Sequence, residues 1–225
     1  KIARDIRAKK LFFGTNLQKE ATLCFVQGDK IIFRNGKNSQ EIYPLKEISL
    51  WGKQNYENVM AAIMVSRICG IDKEIIKRSL SRFVGLEHRC KLVKEIEHIS
   101  FYNDSKGTNV GATLRALQNF SYPLILIMGG KDKGGDYKIL RKEMKKRVKS
   151  LIILGESKEK IYHELGDLIE TFIAKDLSEA VNYAYQNAVA GDKVLFSPAC
   201  SSFDMFSDYK ERGEVFKELV RAIKG

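Results

Sequence analysis

Proline and histidine are scarce in this chain, with three of each in 225 residues, and cysteine is little commoner at four. The cysteines (Cys24, Cys69, Cys90, Cys200) lie far apart and form no CxxC pair, which argues against a disulfide framework and a clustered zinc site. They read as free thiols of a reducing compartment, so a cytoplasmic location is expected. His88, His98 and His163 lack metal-ligand spacing, and no metal site is expected within the chain. No apolar run approaches the roughly 18 residues of a membrane span. The longest, "PLILIMGG" and "SLIILGE", have the length of buried strands, and nothing reads as a signal peptide. GxxxxGK[ST] is missing, so no standard phosphate loop is expected. GxGxxG is missing as well, which weighs against a nicotinamide dehydrogenase. No serine or cysteine has a histidine partner by local motif.

What is present is a globular composition: 44% hydrophobic, 30% charged, 10% aromatic residues, enough apolar content for a sizeable core. The net charge of +11 fits a nucleic acid, an anionic small substrate or a solvated basic surface. The densest basic run, "RKEMKKRVK" (141–149), fits a helix with Leu140, Met144 and Val148 facing inward and its lysines in water.

Periodicity divides the chain in two. The first 50 residues read as short strands and turns, with a hairpin around Gly28-Asp29 and a second tight turn in "RNGK". Two helices follow, "NYENVMAAIMVSRICG", apolar on nearly every face, and "DKEIIKRSLSRFVG" with Asp72 as N-cap. From about residue 90 a strand pair in "KLVKEIEHISFYND" leads into alternating helices and uniformly apolar strands, "LILIM", "SLIIL", "ETFIA" and "KVLFS". That pattern predicts an α/β, Rossmann-like open and mostly parallel sheet covered on both faces, beside a partial domain of short antiparallel strands and helices.

In such sheets ligands bind beyond the carboxyl ends of the strands. Three loops at those ends hold the unusual residues: "NDSKGTN" (103–109), "GGKDKGGD" (129–136) and "SPACSSFD" (197–204). They offer Lys106, Lys131 and Lys133 as cations and Ser105, Thr108 and Ser202 as donors. A helix starting near Asn109 would add its N-terminal amides. Taken singly, each loop reads as a turn, a helix cap or a strand end. Three at equivalent ends favour one shared site for a ligand bearing carboxylates or phosphates. "FFGTNLQKE" (12–20) lacks a second glycine and the Lys-Ser/Thr pair, and reads as a strand end.

"GLEHRC", "NDSKGTN", "GGKDKGGD" and "SPACSSFDMFSDYKERGEVF", in this order and spacing, resemble the Mur ligases. "QNYEN" (54–58) stands where that family has an "HN..N" element, and "NDSK.TN" with "SPA..S.D" points to its D-glutamate-adding branch. The resemblance implies that residues 1–88 are the C-terminal part of a central ATP-binding domain. Residues 89–225 would be a C-terminal Rossmann-like, amino-acid-binding domain. The UDP-sugar domain, the phosphate loop and the Mg2+ ligands would lie upstream, so the chain would be a fragment, inactive alone. The implied activity is ATP-driven addition of D-glutamate to UDP-N-acetylmuramoyl-L-alanine through an acyl phosphate, by a monomeric enzyme of peptidoglycan synthesis that engages neither membrane nor nucleic acid.

The resemblance also assigns residues. Asn55 and Asn58 would approach the adenosine of ATP, and Arg89 and Asp104 would also contact ATP. Lys106 would be the catalytic cation at the reaction centre. Thr108, Lys133, Ser202, the Phe203 backbone and Tyr209 would hold D-glutamate. Gln54 departs from the family histidine, Gly107 from a common alanine and Tyr209 from phenylalanine. The alternative is a basic α/β module that binds nucleic acid or another nucleotide. It would need a basic stripe with interleaved aromatics, which the sequence does not show.

Overall fold

The structure, a computed structural model, describes residues 11–14, 22–34, 39–50 and 52–224. The turn in "RNGK", residues 15–20 of "FFGTNLQKE" and the Gln54 side chain lie outside what it describes. The chain forms two compact units, Lys1–Gly85 and Leu86–Gly225. Residues 86–88 belong with the second unit, where His88 is buried and its ring nitrogen Nδ1 lies 3.1 Å from Asn103 Nδ2.

The first unit holds a four-stranded sheet, β1 (Phe12–Gly14), β2 (Thr22–Gln27), β3 (Lys30–Arg34) and β4 (Gln40–Pro44), in that order. The hairpin turns at Gly28-Asp29 as expected, with Gln27 opposite Lys30 and Gly28 at φ +60°. β2, β3 and β4 are antiparallel, but β1 pairs with β2 in parallel. Helix α1 (Lys53–Ile68) buries Val59, Met60, Ile63 and Met64 in a core with Cys24, Ile31 and Tyr43. Val65 and Ile68 remain exposed, so the helix is one-sided despite its apolar sequence. Asp72 caps α2 (Lys73–Arg82) by accepting the Glu74 N–H at 2.8 Å.

The second unit is a six-stranded sheet of β5 (Lys91–Ile96), β6 (Ile99–Asn103), β7 (Leu124–Gly129), β8 (Val148–Leu154), β9 (Glu170–Ile173) and β10 (Lys193–Phe196). The spatial order is β5-β6-β10-β7-β8-β9, all parallel except β5. Successive residues of β7 point to opposite faces. Leu124, Leu126 and Met128 enter one core with Leu117, Met144 and Ile161. Ile125 and Ile127 enter the other with Ala180, Phe216 and Val220. A strand sandwiched between two helical layers has no wet side, which is why its sequence is apolar throughout. Helices α3 (Val110–Leu117), α4 (Arg141–Arg147) and α5 (Lys158–Leu165) supply the first layer, and α6 (Leu177–Gln186) and α7 (Tyr209–Ala222) the second.

The basic helix is shorter than its charge pattern predicts. It ends at Arg147, and Val148 and Lys149 open β8. Val148 is buried as expected, but as a β-branched strand residue paired with Leu124. Lys149 is drawn off by an ion pair with the buried Asp192.

β10, formed late in the chain, inserts between β6 and β7. The carboxyl ends of β6, β10 and β7 are therefore neighbours, and the loops that leave them share one rim.

Candidate active site

The three rim loops are tied to one another by their backbones. The Gly129 N–H donates to Pro198 O at 2.8 Å, and the Ala199 N–H to Gly107 O at 2.9 Å. Lys131 and Ser201 exchange backbone hydrogen bonds of 3.0 and 3.1 Å. Gly130 (φ +136°) permits this approach, because a Cβ there would sit 2.4 Å from Ser201 O.

A residue that the sequence reading missed fastens the rim from below. Arg212 of α7 is 1% exposed. Its guanidinium donates to Ser105 Oγ (3.0 Å), Ser105 O (2.9 Å), Cys200 O (3.1 Å) and Ser201 O (3.0 Å). Burial pushes its pKa down to about 10, which leaves it charged at neutral pH. The available signal was positional: Arg212 shares a helix face with Phe216 and Val220, where an arginine is out of place unless it is bonded.

Lys106 and Tyr209 meet at the mouth. Lys106 Nζ donates to the Tyr209 hydroxyl at 2.8 Å and lies 4.0 Å from the ring centroid. The Lys106 backbone is held by His88 O at 3.0 Å, and the Thr108 N–H by Lys106 O at 2.8 Å. Asn109 caps α3, accepting the Ala112 N–H at 2.9 Å.

Asp104 lies deeper, 6% exposed, with both oxygens engaged. Oδ1 accepts the Cys90 N–H at 3.2 Å and Oδ2 the Ser197 hydroxyl at 2.7 Å. Burial raises its pKa to about 6, against the lowering pull of Ser197, Cys90 and Arg89. The unfolded carboxyl titrates near 3.9. Between those values the folded state keeps the proton that the unfolded state gives up. The stabilising contribution is therefore full below about pH 4 and is lost as pH rises through about 6. The stability difference between wild type and Asp104→Asn should shift against wild type by on the order of 3 kcal/mol between pH 4 and 7. Urea midpoints at the two pH values measure it, and a pH-independent difference would contradict this account.

The remaining expected residues divide by place. Ser202 is buried in the third loop, Thr108 half-buried in the first, and Phe203 projects its ring outward at 66% exposure. Lys133 is exposed in the second loop, and Arg89 is exposed beside Cys90. The structure thus brings Asp104, Lys106, Thr108, Lys133, Ser202, Phe203 and Tyr209 onto the rim, with Arg89 near Asp104. Asn55 and Asn58 sit on α1 of the first unit, 3.5 Å apart at their amides. Among the described residues, no group of three His, Cys, Asp or Glu could hold a metal ion. None of the described helices is long and apolar enough to cross a membrane.

A family model described as "Mur ligase, glutamate ligase domain" matches residues 88–200, which takes in β5 to β10, the first two rim loops and the start of the third. The chain belongs to the Mur ligase family. Among its relatives in that family is the UDP-N-acetylmuramoylalanine--D-glutamate ligase of Syntrophus aciditrophicus (strain SB). It is 46% identical over 221 residues, which are 98% of this chain and 49% of the relative. The protein of the same name from Bdellovibrio bacteriovorus is 48% identical over 194 residues, 86% of this chain and 42% of the relative. The chain spans about half the length of these curated relatives. Solved Mur ligase folds resemble it too. A pseudomurein peptide ligase type C from Methanothermus fervidus aligns with a TM-score of 0.68 at 17% identity, over 89% of this chain and 41% of that one. The UDP-N-acetylmuramate-alanine ligase of Thermotoga maritima aligns with a TM-score of 0.65 at 16% identity, over 94% and 48%. At such identities the likeness speaks for the fold alone.

Proposed function

We propose that the chain is part of an ATP-dependent ligase that joins D-glutamate to UDP-N-acetylmuramoyl-L-alanine in peptidoglycan-precursor synthesis. One observation carries the reading. The three motif loops are hydrogen-bonded into one rim, with Lys106 and Tyr209 at its mouth and Lys133 exposed in the second loop.

The reaction asks for such a rim. ATP phosphorylates the alanyl carboxylate, the D-glutamate amine attacks the acyl phosphate, and the tetrahedral intermediate collapses with loss of phosphate. Each stage concentrates negative charge on oxygens, which fixed cations and donors stabilise in the transition state. Lys106 serves the reacting oxygens. Thr108, Lys133, Ser202, the Phe203 backbone and Tyr209 hold D-glutamate, whose two carboxylates match ammonium and hydroxyl donors. Because Lys106 is bonded to Tyr209, the reacting centre and the amino-acid site are linked by one contact. Arg89 and Asp104 keep the role of ATP contacts, as do Asn55 and Asn58 in the first unit. Asp104 serves from a carboxylate already oriented by Cys90 and Ser197. Mg2+ finds no donor set of His, Cys, Asp or Glu among the described residues. The first unit, 1–85, belongs to the central ATP-binding domain and the second, 86–225, to the amino-acid-binding domain, of a monomeric cytoplasmic enzyme.

The basic run favours the nucleic-acid alternative less than its composition suggests: Arg141 is engaged by Asp167, Arg147 by Glu143 and Lys149 by Asp192, and its exposed lysines are Lys142, Lys145 and Lys146.

Kinetics on the complete ligase test the assignment. Lys133→Ala is expected to raise the KM for D-glutamate about tenfold or more, the loss of a charged hydrogen bond, with a smaller effect on the KM for ATP. An unchanged D-glutamate KM removes Lys133 from the site.

A further inference from the structure

Lys133 stands on a loop with few contacts of its own. It is exposed, and next to it Gly134 (φ +74°) has open space where a Cβ would be. Neither Lys131 nor Lys133 has a side-chain partner among the described residues. A long flexible cation on an unsupported loop would give up much entropy on binding a small ligand. The residue between the two lysines, Asp132, removes that freedom.

The Asp132 carboxylate ties three elements together. Oδ1 accepts the Gly135 N–H at 3.3 Å and the Tyr137 hydroxyl at 2.9 Å. Oδ2 accepts Lys160 Nζ of α5 at 2.8 Å, and the same ammonium donates to Gly135 O at 2.9 Å. The bond from Asp132 to Gly135 closes a turn whose apex is Lys133-Gly134. Both feet of the turn are anchored. Lys131 is bridged to Ser201, next to Ser202. Tyr137 is fully buried, with its hydroxyl 3.0 Å from Cys200 Sγ in the third loop. Gly135 packs on α3, where a Cβ would lie 2.6 Å from Val110 Cγ2.

The charges are arranged to the same end. Burial pushes the Asp132 carboxyl up, but hydrogen bonds from Lys160, Tyr137 and Gly135 outweigh it and hold the group below the usual carboxylate range. Asp132 is thus ionised and already paired with Lys160, so it does not compete for its neighbour. Lys133 is left uncompensated.

We infer that Asp132, neutralised by Lys160 and bonded to Gly135 and Tyr137, is the positioning residue that presents Lys133 to an anionic substrate at the rim. The inference rests on the reading that Lys133 binds D-glutamate, and the test separates the two. In the complete ligase, Lys133→Ala, Asp132→Ala, Lys160→Met and the double variant Asp132→Ala/Lys133→Ala are compared by steady-state kinetics and thermal melting. Asp132→Ala is expected to raise the D-glutamate KM about tenfold, with kcat and the ATP KM within about twofold of wild type. Lys160→Met should move the same constant in the same direction, by about threefold or more, because Asp132 is then free to capture Lys133. In the Lys133→Ala background, Asp132→Ala should add almost nothing, the non-additivity of two residues acting through one contact. A general loss of structure would instead lower kcat and raise both KM values together.

If Lys133→Ala raises the D-glutamate KM while Asp132→Ala and Lys160→Met leave it unchanged, the inference is overturned and the Lys133 assignment stands. Additive effects overturn it as well. If Lys133→Ala itself has no effect, the assignment fails and the inference with it. Should Asp132→Ala not fold, Lys160→Met on the surface of α5 still decides the matter.

Discussion

Replacing Lys106 with alanine in the complete ligase should lower kcat by about a thousandfold, while the KM values for ATP and D-glutamate stay within roughly threefold. The reason lies in how the ammonium is held. Lys106 Nζ is fixed by the Tyr209 hydroxyl at 2.8 Å and lies against the ring face. Its backbone is clamped by His88 O. A half-buried, pre-oriented cation stabilises charge that develops during reaction far better than water does, because it need not reorganise. An interaction made mainly in the transition state lowers kcat rather than raising KM. Lys106→Arg should not restore the rate, since a planar guanidinium cannot take the place of a point charge against the Tyr209 ring. Tyr209→Phe keeps the ring and removes the hydroxyl, so its cost should be smaller, about tenfold, and should fall partly on the D-glutamate KM. Steady-state and single-turnover rates check these values. If Lys106→Ala raises the D-glutamate KM at unchanged kcat, Lys106 is a binding group and not the catalytic cation.

Much of this arrangement was legible in the chain. The turn at Gly28-Asp29, the cap at Asp72 and the apolar strands "LILIM" and "SLIIL" are local signals, and each became the expected element. The fold class followed from apolar strands separated by amphipathic helices. What periodicity cannot carry is strand order. That β10 lies between β6 and β7 depends on contacts almost a hundred residues apart, such as Val194 with Phe101. The sharing of one rim by three loops was therefore an expectation from motif and position, and the pairing of Lys131 with Ser201 supplies its physical basis. Local charge also misled: Lys149 reads as the wet end of a helix, yet it lies in strand β8 and pairs with Asp192. Asp104 is expected as an ATP contact, and its burial, with both oxygens bonded to Cys90 and Ser197, is not visible in the local sequence. Arg212 and Asp132 escaped notice because their value lies in partners that the sequence keeps far away.

Arg212→Met should lower the stability of the second unit by about 3 kcal/mol. Methionine fills similar volume, so the loss is one of hydrogen bonds and not of packing. It leaves Ser105 O and Cys200 O without their donor in a region closed to water, while Ser201 O keeps the Lys131 N–H and the Ser105 hydroxyl keeps Tyr209 O. Each buried acceptor left unpaired costs about 1–3 kcal/mol. Part of that is offset, because a buried cation with no ion pair among the described residues no longer has to be desolvated. Arg212→Lys should recover little. One ammonium cannot reach Ser105 in the first loop and Ser201 in the third at the same time, as the guanidinium fork does. The two loops it joins carry Lys106 and Ser202, so the variant that still folds should lose kcat and D-glutamate affinity together. That sets it apart from Lys106→Ala, which spares affinity, and from Lys133→Ala, which spares kcat. Urea midpoints and paired kinetic constants on the complete protein measure both effects. A lysine variant with wild-type stability would mean that the fork geometry is dispensable, and that the rim is held by its backbone bonds alone.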